Sequence, residues 1–225
     1  MSLSVIKSRN STEAGFTLVE IAIVLVIIGL LLGGILKGQE MITQAKIKNI
    51  VNDFNGITVA VTSYQDRYRA LPGDDRNANT RWTVQAPTSG NGNGNVEGLY
   101  NDATTTTESH LFWQHLRIAG FVAGATTGPA SGTPPPNAAG GLIGVETGTP
   151  TVNGLGFSSL ILCFSNLPEK IASAVDGQID DGVPNTGQIR GQLGGSNPPT
   201  AANAGGAATS YVETGVNQYL LCKNY

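Results

Sequence analysis

One acidic side chain, Glu20, stands alone within the apolar run at residues 16–36. An isolated carboxylate at membrane depth is unfavourable unless a cation meets it or it takes up a proton, so its type and place demand a partner. A second acidic group, Asp176, Asp180 and Asp181, supplies three carboxylates within six positions. Calcium takes hard oxygen ligands of this kind, although the spacing is not that of an EF-hand. A helix-ending turn with ordinary Asx hydrogen bonds accounts for the same residues. The two cysteines, Cys163 and Cys222, are too few for a disulfide scaffold or a four-Cys zinc site. His110 and His115 are five apart with no Glu between them, which is not the spacing of a helical zinc pair. Nucleophile elbows, phosphate loops, dinucleotide fingerprints and HExxH motifs are all missing from the sequence, and no catalysis is expected.

The elements that must carry these residues are unevenly distributed. The chain has 225 residues, enough for one ordinary domain plus an extension, and its 40% hydrophobic content permits a real core. A formal net charge of −3 leaves no basic footprint for a nucleic-acid backbone, so broad nucleic-acid binding is not indicated. Thirty Gly, eleven Pro and 13% charged residues describe a head of turns and short strands, with helix gathered at one end.

Residues 1–15 are polar and carry Lys7, Arg9 and Glu13, and the apolar run begins abruptly at Phe16. At about 1.5 Å per helical residue, positions 16–36 span roughly 30 Å, the thickness of a bilayer core. Lys7 and Arg9 place the start of the run on the cytoplasmic side, so the head is expected outside the inner membrane. A secretory signal would have its small-residue cleavage site after the apolar stretch, whereas Gly15 precedes it. Gly29/Gly33 and Gly34/Gly38 each have the small-xxx-small spacing that lets membrane helices approach closely. Beyond Gly38, apolar residues recur at threes and fours from Ile42 to Tyr68, which predicts an amphipathic continuation of the same helix to about residue 70. Leu71-Pro72-Gly73 then stops it.

The string Gly15-Phe16-Thr17-Leu18-Val19-Glu20 resembles the processing motif of type IV prepilins and type II secretion pseudopilins. The resemblance implies cleavage by a prepilin peptidase between Gly15 and Phe16 and methylation of the new Phe16 nitrogen. It also implies a partner for Glu20: the amine of Phe16 on a neighbouring subunit, created only by that cleavage. The fold it implies is α+β and pilin-like, with a long amino-terminal helix packed on an antiparallel sheet and short extra helices. The expected organisation is a cytoplasmic leader at 1–15, a transmembrane helix half at 16–38, an amphipathic half at 39–70 and a periplasmic or extracellular head at 71–225.

Within the head, residues 83–107 read as loops or a short hairpin. Residues 108–122 form a short helix closed by Gly120, 124–156 a nearly uncharged loop with Glu146 its one ionisable residue, 157–164 a central strand, and 168–179 a short helix. Cys163 and Cys222 lie on the exported side, where disulfides persist, and a carboxy-terminal disulfide loop also resembles that of many type IV pilins. Two separately buried thiols are the alternative. Closing such a loop stabilises by about 4 kcal/mol at the upper end.

The expected function is a structural subunit of a type IV pilus or a type II secretion pseudopilus, assembled through Glu20, Gly29, Gly33, Gly34 and Gly38. Its partners would be the prepilin peptidase, other subunits and the inner-membrane assembly platform. A minor or tip pilin whose head binds a surface, DNA or a secretion substrate is the alternative, and its best feature is the neutral loop. No cofactor is expected beyond the calcium that Asp176, Asp180 and Asp181 would hold.

Overall fold

Helix α1 runs without interruption over Leu18–Tyr68. The computed structural model describes residues 15–149, 154–194 and 207–225, so positions 1–14 of the expected leader lie outside the described residues, as do 150–153 of the expected neutral loop. The described chain falls into two units, one ending at Ile42 and the other spanning Thr43–Tyr225. In the first unit every side chain at 15–37 is exposed, although most are apolar. In the second, Ile47, Ile50, Phe54, Ile57, Val61 and Tyr64 of α1 are buried at intervals of three and four. That interval sets them on one helical face.

The buried face of α1 meets a four-stranded antiparallel sheet of order β1-β2-β4-β3. Its strands are β1 (Ile143–Thr147), β2 (Leu160–Pro168), β3 (Ile189–Leu193) and β4 (Gln218–Asn224). Ile143, Val145, Leu162, Phe164, Leu221 and Ile189 join α1 in the main core, and the Phe54 and Phe164 rings stand 4.0 Å apart. The other sheet face is covered too. Ile161, Cys163, Leu220 and Cys222 pack with Tyr100, Leu155 and Phe157 from the loops. Burial on both faces is why β2 reads as a continuous apolar run rather than an alternating one. Among the described residues the head also has three short α-helices, α2 (Ala78–Arg81), α3 (Glu108–Ile118) and α4 (Glu169–Ile179).

Several expected boundaries move. The central strand begins at Leu160 and continues through Pro168, where α4 starts, so Pro168 precedes the helix and does not sit in its first turn. Helix α3 ends at Ile118, and Gly120 closes it with φ 81°. The stretch 124–156 is not simply loop: it contains a 3-10 turn at Pro129–Gly132 and the whole of β1. Its Ile-Gly-Val-Glu-Thr sequence has β-branched residues at 143, 145 and 147 but is only five residues long and is interrupted by Gly144 and Glu146, and β1 is completed by pairing with β2 from Ile143↔Phe164 to Thr147↔Leu160. Strands β3 and β4 likewise pair at long range, and sequence periodicity did not reveal them.

Candidate functional site

The chemistry-bearing residues of the first unit begin at Gly15 and Phe16, both exposed, with Phe16 83% accessible. Two residues on, Thr17 and Glu20 bond reciprocally. Glu20 N–H donates to Thr17 Oγ1 at 3.2 Å, while Thr17 N–H and Oγ1 donate to Glu20 Oε2 at 2.8 and 2.9 Å. This is a capping box: each side chain satisfies a backbone donor that the first turn of α1 leaves open. Glu20 therefore has a partner inside its own chain. The Thr-x-x-Glu spacing before an apolar run was the sequence signal for it.

Further along, an added Cβ at Gly29, Gly33, Gly34 or Gly38 would meet nothing within 4 Å among the described residues. The four glycines therefore leave open space along the helix, which a closely approaching neighbour could use. Lys37 and Glu40 form an exposed ion pair at 2.8 Å. Helix α1 is long and apolar enough to cross a membrane, and none of its most apolar stretch is buried within the protein.

The head arranges its polar groups differently, as internal ties. Cys163 and Cys222 face one another across β2 and β4 and are joined in a disulfide, with both residues inaccessible. His115 uses both ring nitrogens on backbone: Nδ1 accepts from Gly73 N–H at 2.9 Å, and Nε2 donates to the Thr88 carbonyl at 2.9 Å. Burial holds its pKa below the usual imidazole value. Gly73 has φ 87°, and a Cβ there would sit 2.5 Å from the Glu108 carbonyl oxygen, so the turn after Pro72 is restricted to glycine. Asp75 pairs with Arg81 and accepts from the Tyr64 hydroxyl at 2.7 Å.

Glu146 of β1 is fully buried. One of its oxygens accepts the Tyr100 N–H at 2.7 Å and the other has no hydrogen-bond partner among the described residues. Desolvation pushes this carboxyl up to about 7. A lone charge in a glycine-rich, threonine-rich stretch gave no sequence hint of such burial.

Asp176, Asp180 and Asp181 do come together, each offering an oxygen within 4.8 Å of the others. They already have donors. Asp176 accepts from the Tyr211 hydroxyl at 2.6 Å, Asp180 from the N–H groups of Gln188 and Ile189 at 2.6 and 2.9 Å, and Asp181 from Val183 N–H at 2.9 Å and the Thr186 hydroxyl at 2.5 Å. These bonds fasten the turn after α4 to the start of β3.

Residues 10–36 match the family described as the prokaryotic N-terminal methylation motif. No curated protein sequence matches the chain. Among solved structures, the chain is similar to TcpA, a type IV pilin from Vibrio cholerae El Tor biotype, at 12% identity and a TM-score of 0.39, over 80% of this chain and 99% of that one. The chain thus carries a prokaryotic N-terminal methylation motif at the start of a long apolar helix, followed by a head built on an antiparallel sheet.

Proposed function

We propose that the protein is a structural subunit of a type IV pilus or a type II secretion pseudopilus. It would be held in the inner membrane with its head in the periplasm, cut after Gly15 by a prepilin peptidase and methylated on Phe16. The observation that carries this reading is the coincidence of two features: the methylation motif at 10–36 overlaps a helix start whose side chains at 15–37 are all exposed. Those apolar residues need lipid or other helices around them, and a filament core supplies the second after the membrane has supplied the first.

Thr17 holds the Glu20 carboxylate at the helix start. Cleavage then creates the Phe16 amine, and Glu20 of a neighbouring subunit meets it, so that two charges are neutralised together as the helix leaves the membrane. The assembly platform and other subunits are the partners of this step. A calcium ion at Asp176, Asp180 and Asp181 is proposed only as an accessory that would brace the turn before β3. Melting of the head with calcium and with a chelator tests it, and equal midpoints remove it.

Mass spectrometry of the mature amino terminus tests the main reading. N-methyl-Phe16 is the expected terminus, and an unprocessed Met1 in assembled or membrane-bound protein overturns the proposal.

A further inference from the structure

The carboxy-terminal end of α1 contains a feature the filament role does not use. Arg69 follows the last helical residue with φ 56°, its N–H bonded to the Gln65 carbonyl at 2.8 Å. This left-handed position at a helix end favours glycine, because a Cβ is strained there. Helix α3 follows that preference with Gly120. An exposed arginine kept in strained backbone suggests a use for its side chain.

Arg69 lines a cleft of about 560 Å3 together with Tyr68, Asp74, Asp75, Arg76 and Gly94. The two acids are committed to the cleft walls. Asp74 accepts the N–H groups of Gly92, of Asn93 at 3.1 Å and of Gly94 at 2.7 Å. Asp75 takes Arg81, the Tyr64 hydroxyl and the Asn77 N–H. The two arginines are not so committed: among the described residues neither Arg69 nor Arg76 forms an ion pair. Arg76 is held by neutral acceptors only, with Nε on the Asn91 carbonyl at 2.6 Å and Nη2 on the Gly92 carbonyl at 3.4 Å. Its guanidinium is thus oriented with no carboxylate bonded to it among the described residues, and both arginines are exposed.

We propose that this cleft binds a small oxyanion carrying two negative charges, a phosphate or a dicarboxylate, between Arg69 and Arg76. A guanidinium matches either group with paired N–H donors, and the anchored Arg76 loses little freedom on binding. The helix end at this place carries partial negative charge, so the arginines and not the helix supply the attraction.

The test titrates the detergent-solubilised full chain with sodium phosphate and, separately, with sodium succinate, against sodium chloride at matched ionic strength. Calorimetry and the melting temperature are the readouts. A saturable response to phosphate or to succinate, absent with chloride, is expected, and whichever anion responds identifies the source. Arg69→Gly is the informative variant because glycine relieves the backbone. It should melt no lower than the unaltered chain and bind the anion roughly tenfold or more weakly. Arg76→Gln should weaken binding by a similar factor. A response no different from chloride, or unchanged affinity in Arg69→Gly, overturns the proposal. Because the assay needs no filament, its outcome is separate from that of the assembly reading.

Discussion

The two parts of α1 obey the same backbone rules and meet opposite surroundings. From Ile21 to Leu36 the helix is apolar on every side and buries nothing, whereas from Ile47 to Tyr64 it is apolar on one face and buries that face. Helix formation alone cannot account for both, because a helix apolar all round is stable only within lipid or among other helices. The carboxy-terminal part is fixed by its own chain. The amino-terminal part is left to be satisfied by something else, and that is the physical ground for proposing it as an anchor and assembly element. The contrast predicts that damage to one part should leave the other's behaviour intact.

The largest effect is expected from Phe54→Ala. This ring is inaccessible and packs, tilted, against Phe164, so truncation should cost about 3–5 kcal/mol of head stability in chemical denaturation of the solubilised chain. Membrane insertion of the altered chain should be normal. Loss of insertion together with stability would show that the two parts are not independent. Replacing both Cys163 and Cys222 by Ala should cost about 2–4 kcal/mol, again in the head alone, because the bond closes a loop with a sequence separation of 59.

Glu146 gives the head a pH response that the exposed part of α1 has no buried group to match. Its carboxyl titrates near 4.5 when exposed and at about 7 in the fold, so the folded state holds the proton more tightly. Its contribution is therefore fully favourable below pH 4.5, is lost as pH rises through 7, and is constant above that. The loss amounts to up to about 3 kcal/mol. Glu146→Gln keeps an acceptor for the Tyr100 N–H and should flatten the stability profile between pH 5 and about 7.5. An equally steep profile in the variant would assign the dependence to another group.

The same contrast explains what the sequence disclosed. Helix α1 was readable from end to end because its signals are local: an unbroken apolar run, then a recurrence at threes and fours, then Leu71-Pro72. The motif at Gly15 and Glu20 is local too. Strand β1 was not readable, since Gly144 and Glu146 look like loop residues until β2 pairs with them and Tyr100 closes over the face; a Cβ on Gly144 would lie 1.8 Å from the Tyr100 carbonyl oxygen. Strand β4 was known only by its cysteine. The role of Arg69 was hidden for a different reason: its significance lies in a backbone angle, and composition says nothing of that.

The smallest effect separates the two roles of Glu20. If its carboxylate serves the helix start as well as assembly, Thr17→Ala should loosen the first turn, speeding amide exchange at Glu20 roughly fivefold as expected for a lost cap. Thr17→Ser retains the hydroxyl and should restore slow exchange. Head stability should not move in either variant, because no buried residue of α1 lies before Ile47. Unchanged exchange in Thr17→Ala would mean that the reciprocal bonds contribute nothing at the helix start, and Glu20 would then be left for the neighbouring subunit alone.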